Sequence, residues 1–333
     1  MQPIAPPLWR QILRQNFTDI TLLADFLELN QDQRQNLLAR SRFALNLPKR
    51  LAYKIAKGTL EDPILKQFLP TANENAAASN FLSDPVGDGL CKKTKKLLHK
   101  YQGRVLLLCT SACAMHCRYC FRQHFEYDAT NKIFEEELRM IAEDSSISEV
   151  ILSGGDPLSL DNRILEDLLS RLSLLSHVRS VRFHTRFPMG IPERLDSGFL
   201  SLFGKFPFQF WFIIHSNHPN EFDEDIFKAL KRVRQLGIPI LNQSVLLKGV
   251  NDQFSVLFEL CSKLVDNGII PYYLHQLDRV QGAAHFEVSE VEGKELIRRL
   301  SDSLPGYAVP RYVKEIPGMP GKTPIFFTTE KRQ

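Results

Sequence analysis

The chain has no long hydrophobic run. Its most apolar stretch, residues 208–214, is broken by Gln209 and falls far short of the roughly 20 residues that cross a bilayer. The opening residues, MQPIAPPLWRQ, lack the charged-then-apolar pattern of a secretory signal, so a cytoplasmic location is expected. An excess of charge of one sign is nearly absent as well. Lys and Arg number 42 against 38 Asp and Glu, a net of +4, too mild to predict a nucleic-acid partner. Cysteine is scarce, with six in 333 residues clustered around one motif. That distribution excludes a disulfide framework and suits metal binding in a reducing compartment. No internal repeat or low-complexity tract is visible.

What is present is concentrated in the run CAMHCRYC, where Cys113, Cys117 and Cys120 have the spacing C-x3-C-x2-C. Three thiolates can hold three irons of a [4Fe–4S] cluster, which normally takes four cysteines. The fourth iron is left open to a non-protein ligand. Zinc wants four ligands, usually in two pairs, and His116 and His124 lie off that pattern. Cys91, Cys109 and Cys261 read as plain reduced thiols.

Residues 1–100 read as a helical region, with helices over 9–16, 20–26, 31–38 and 48–57 and caps at Thr18 and Asn30. A polar loop at 71–80, a Pro/Gly turn at 84–89 and a solvated basic stretch, Lys92, Lys93, Lys95 and Lys96, follow. From 101 to 316 the pattern alternates. Apolar runs at 105–109, 150–153, 180–184, 209–215, 238–247 and 270–274 are separated by helix-period stretches at 134–143, 160–174, 193–203, 221–236, 253–267 and 289–304. Six strands alternating with helices predict an α/β fold, a partial (β/α)6 barrel. Residues 317–333 form a C-terminal segment.

Parallel β/α folds carry their chemistry at the carboxyl ends of the strands. The first strand leads into the cysteine loop. The second ends in Ser153, Gly154, Gly155 and Asp156, where glycines let a backbone approach a ligand. Later ends carry His215 and His218, then Asn242, Gln243 and Ser244; His184 reads as structural. The last segment, KEIPGMPGKTP, presents Lys322 in a rigid Gly/Pro loop. A Schiff-base lysine must be partly neutral and held in a pocket, so Lys322 is a candidate anchor for pyridoxal phosphate (PLP).

Taken in order, RVLLLCTSACAMHCRYCFR, LSGGDPL, HSNHPNE, NQSVLLKGVND, PYYLHQLD and PGMPGKTP resemble the lysine 2,3-aminomutase family of radical S-adenosylmethionine (SAM) enzymes, over about two-thirds of the chain. The resemblance implies a radical-SAM-type barrel and a PLP- and SAM-dependent radical shift of an amino group, converting L-lysine to (R)-β-lysine. It implies Cys113, Cys117 and Cys120 as cluster ligands and Lys322 as the PLP lysine. Arg122 would hold the substrate carboxylate, and Asp278 and Glu315 a substrate amine. Ser153, Gly154, Gly155, Asp156, His215 and Gln243 would lie near SAM, and Arg104 near the PLP phosphate. A flavodoxin or ferredoxin would be the reductant.

Two departures carry expectations of their own. Glu315 stands where the catabolic enzymes have aspartate, one methylene shorter. The chain also stops eleven residues after Lys322, without the zinc-binding tail of the catabolic enzymes. The short form resembles bacterial enzymes that supply (R)-β-lysine for modification of elongation factor P, working with a lysyl-ligase. The alternatives are a catabolic aminomutase and a non-catalytic Fe–S electron-transfer or nucleic-acid-binding protein.

Overall fold

The computed structural model describes residues 5–38, 41–128 and 132–327. Its centre is one nine-stranded sheet whose strands lie in chain order, β1 (Leu97–Tyr101), β2 (Arg104–Thr110), β3 (Glu149–Gly154), β4 (Ser180–Thr185), β5 (Gln209–His215), β6 (Ile240–Val245), β7 (Ile270–His275), β8 (Arg311–Lys314) and β9 (Thr323–Pro324). Each neighbour pair from β2 to β8 is parallel. The edge strands β1 and β9 run antiparallel to β2 and β8.

All six strands read from the sequence form, and helices Glu135–Glu143, Asn162–Ser173, Glu224–Gln235, Phe254–Asp266 and Glu290–Ser303 connect them. The structure adds a seventh parallel strand, β8, whose four residues RYVK are too short to show a period. The helix expected over 193–203 breaks into the short turns Pro192–Arg194, Ser197–Leu200 and Ser201–Gly204. Pro192 opens the first, and the Asp196 carboxylate caps the second at Phe199 N, 2.7 Å away.

The N-terminal helix over Ile20–Phe26 forms as expected, whereas Leu8–Leu13, Gln31–Gln35 and Lys49–Ala52 are shorter than the sequence predicts and Pro63–Lys66 is an additional turn of helix. Asn30 caps as expected, in a capping box with Gln33. Asp19 takes the place expected of Thr18, accepting from Thr21 N and Leu22 N. Such short helices are marginal alone and depend on packing. They share one hydrophobic core with the barrel; Trp9 meets Phe187 edge to face at 5.6 Å. Of the four basic residues expected on a solvated face, Lys92, Lys93 and Lys95 are exposed. Lys96 is buried, and its ammonium donates to Ile133 O at 2.9 Å. Among the described residues no helix is long and apolar enough to cross a membrane.

Candidate active site

The cysteine loop leaves the end of β2 and is gripped from outside by the N-terminal region. Asn46 Nδ2 donates to Cys113 O at 3.1 Å, and His116 N donates to Asn46 O at 3.0 Å. Arg118, 1% exposed, donates from Nε to Glu74 at 2.7 Å, from Nη1 to Phe43 O at 2.6 Å and from Nη2 to Ser41 Oγ at 2.8 Å. Its backbone N donates to Gln67 O at 2.9 Å. From inside, the strand end of β3 presses against the same loop. A Cβ on Gly155 would fall 2.4 Å from Ala112 O, and one on Gly154, at φ +116°, 2.6 Å from Thr110 O.

Gly155 is small because the cysteine loop approaches it at Ser111 and Ala112, and Gly154 because the end of β2 does at Cys109 and Thr110. Asp156, expected beside SAM, spends its carboxylate on Leu158 N, Thr185 Oγ1, Arg186 N and Phe187 N, at 2.8–3.0 Å. It braces two strand ends. Burial nevertheless raises its pKa to about 6, outweighing those bonds.

Cys113, Cys117 and Cys120 lie in one another's electrostatic field. Among the described residues, no three His, Cys, Asp or Glu side chains converge on a single ion. Three thiolates carried on one loop are the donor set of a [4Fe–4S] cluster with one iron left open. Burial raises the Cys113 thiol well above its usual range and Cys120 to about 11, so a metal must displace their protons. His116 is committed to Ala44 O at 2.8 Å, and His124 contacts Gln281 O at 3.2 Å.

A buried polar network stands behind the loop. Arg186 donates from Nη1 to Cys117 Sγ at 2.8 Å and to Tyr119 Oη, and from Nη2 to Gln67 Oε1 at 2.7 Å and Glu221 Oε2 at 2.8 Å. Tyr119 Oη also lies 2.9 Å from His215 Nε2. Gln243 pairs in register with His215 across β5 and β6. His218 is turned away, accepting from Asn220 N at 3.1 Å. Asn242 and Ser244 bond each other and Ser216 O. Burial holds His184, His215 and His275 well below the usual histidine range, so all three are neutral at pH 7. His184, read as structural, has a buried Nε2 without a hydrogen-bond partner among the described residues.

The expected substrate and PLP residues meet in a chain of alternating charge. Arg122 Nε lies 2.7 Å from Asp88 Oδ2, and Asp88 Oδ1 lies 3.9 Å from Lys100 Nζ. Lys100 Nζ lies 2.8 Å from Glu315 Oε1, and Glu315 Oε2 lies 3.0 Å from Lys322 Nζ. Tyr101 Oη donates to Glu315 as well. Burial opposes ionisation of Glu315, yet Lys322, Lys100 and Tyr101 together hold its pKa down to about 2. Asp278 differs. Burial raises it to about 7, against the pull of Lys322, and its carboxylate has no hydrogen-bond partner among the described residues. Arg104 opens β2, at the far end of that strand from the cysteine loop. It stacks on Tyr101, 4.8 Å from the ring centre, which links it through Glu315 to Lys322.

A cleft of about 780 Å³ is lined by Asp278, Glu315, Gln276, Arg279, Glu290 and Lys314, among others. A smaller one of about 230 Å³ reaches Asp88, Arg122 and Phe121. Asp88, Lys100, Tyr101, Arg186 and Gln67 were not singled out from the sequence. Arg186 alone carried a usable signal, its place directly after a strand.

Residues 101–184 match the family described as a 4Fe-4S single cluster domain. The chain is 40% identical to an L-lysine 2,3-aminomutase of Haemophilus influenzae, over 95% of this chain and 94% of that one. It is also 40% identical to an L-lysine 2,3-aminomutase of Escherichia coli, over 89% of each chain. A radical SAM methyltransferase from Sphaerobacter thermophilus is a structural neighbour at TM-score 0.45 and 16% identity, over 65% of this chain and 68% of that one.

Proposed function

The chain belongs to the lysine 2,3-aminomutase family, and from that premise we propose that it is an isomerase converting L-lysine to (R)-β-lysine. The observation that carries this reading is the ion-pair chain from Arg122 to Lys322, which begins two residues after Cys120. It sets a guanidinium for a carboxylate at one end and, near the other, Glu315, which lines one cleft with Asp278 and with it suits an ammonium, the two charged ends of a diamino acid.

Cys113, Cys117 and Cys120 would hold the cluster, with SAM on its open iron beside His215 and Gln243. Lys322 would hold PLP, with Arg104 as a cation for its phosphate. When bound, these groups supply a carbon-centred radical and a carrier for the migrating nitrogen. The chain's own residues bind and orient. Arg122 takes the substrate carboxylate in a charge-assisted pair. Glu315 and Asp278 take the distal ammonium. Asp278, whose ionisation burial opposes, gains a counter-charge from that ammonium, so substrates lacking it bind less well.

The finer role is supply of (R)-β-lysine for elongation factor P by way of a lysyl-ligase, with a flavodoxin or ferredoxin as reductant. Near-complete mutual coverage with the Escherichia coli and Haemophilus influenzae relatives supports the short form of the family. Anaerobic incubation of the purified protein with L-lysine, SAM, PLP and dithionite tests the activity. (R)-β-lysine must appear, and glutamate and norleucine must not turn over.

A further inference from the structure

The turn at 84–89 has no part in the roles above, yet it delivers a buried carboxylate to the site. Asp84 builds it, accepting from Asp88 N at 3.0 Å and from Gly89 N at 2.9 Å. Gly87 takes φ +67°, a conformation open to glycine without strain. The product is Asp88, 4% exposed, with Oδ2 2.7 Å from Arg122 Nε and Oδ1 3.9 Å from Lys100 Nζ.

A buried carboxylate is costly unless paired, and the manner of pairing is informative. A guanidinium presents five donors in a rigid planar fork. Asp88 takes it at Nε. The Nη1–Nη2 end is left with a 3.4 Å contact from Nη1 to Ser153 Oγ. The ring of Phe121 covers one face of the fork, 4.7 Å from its centre. One edge and one face are therefore fixed, and the terminal edge stays available for a second carboxylate.

We propose that Asp88 is a positioning residue that holds Arg122 by Nε and thereby aims its terminal edge at the substrate carboxylate. The inference rests on the reading of Arg122 given under Proposed function. Asp88 touches no substrate atom in this account and acts through Arg122.

The test is steady-state kinetics with L-lysine, using cadaverine as a competitive inhibitor, since cadaverine keeps both amines and lacks the carboxylate. Asp88→Asn must raise KM for lysine about tenfold, with kcat within about threefold and the cadaverine inhibition constant within about twofold of the parent. Asp88→Glu, which keeps the charge, must recover part of the affinity. The double variant Asp88→Asn/Arg122→Gln must match Arg122→Gln alone, because residues acting as one unit are non-additive. Should Asp88→Asn lose its cluster absorbance, Asp88→Glu carries the test, and its KM must rise with cadaverine inhibition unchanged. Unchanged KM in Asp88→Asn, parallel loss of cadaverine affinity, or additive effects in the double variant would overturn the proposal. Unchanged KM in Arg122→Gln is a different failure, which removes the reading of Arg122 itself.

Discussion

Glu315 Oε2 lies 3.0 Å from Lys322 Nζ, within the segment that resembles the family's PLP loop. Its other oxygen serves Lys100 at 2.8 Å. One carboxylate thus spans two ammonium groups, one on each oxygen. Glu315→Gln removes the nearest counter-charge of both ammoniums. It should lower kcat/KM for lysine on the order of tenfold to a hundredfold. Glu315→Asp should lose less, because charge is kept and only reach is cut. Kinetics on the two variants check this; equal loss in both would contradict it.

Lys322 and Lys100 flank that carboxylate, so Lys100 is the neighbouring amine from which the PLP anchor must be distinguished. Borohydride reduction of the PLP-loaded protein, followed by peptide mapping, should place the label on Lys322. A label on Lys100 would move the anchor to β1.

The cysteine loop depends on Arg118, paired with Glu74 at side-chain exposures of 1% and 11%. Breaking a buried pair on one side costs about 3–5 kcal/mol. Glu74→Gln should therefore lower the denaturation midpoint and speed iron loss to a chelator. Lys228→Gln, which breaks an exposed pair with Glu224, should change neither.

Substrate capture should depend on pH through Asp278. Burial raises its pKa to about 7 in the substrate-free protein. Above that value the carboxylate is charged and attracts the ammonium; below it, the protonated acid does not. Because kcat/KM reports the free enzyme, it should fall on the acid side with a limb near pH 7. Glu315, held at about 2, adds no limb in that range. Asp278→Asn should lower kcat/KM and remove the limb, which a pH profile of the variant would show.

The strands were legible because each is a short apolar run closed by turn residues, and the cysteine spacing is itself a chemical statement. Strand β8 was not legible, since four residues show no period. Asp88 was hidden for another reason. Its sequence context, DPVGDG, reads as an ordinary turn, and only the tertiary fold brings it to Arg122. The same holds for Gln67 and Arg186, whose importance lies in contacts across 119 positions of sequence. Gly154 and Gly155 were singled out for a ligand, and the fold adds a second close neighbour, the backbone between Cys109 and Ala112. A glycine announces close approach without saying what approaches.

The central claim is a 2,3-shift of nitrogen on lysine, and L-lysine deuterated at C3 tests it most directly. Under anaerobic conditions with SAM, PLP and dithionite, the account predicts (R)-β-lysine with deuterium delivered to C2. Absence of β-lysine, or β-lysine formed without any deuterium leaving C3, would contradict it.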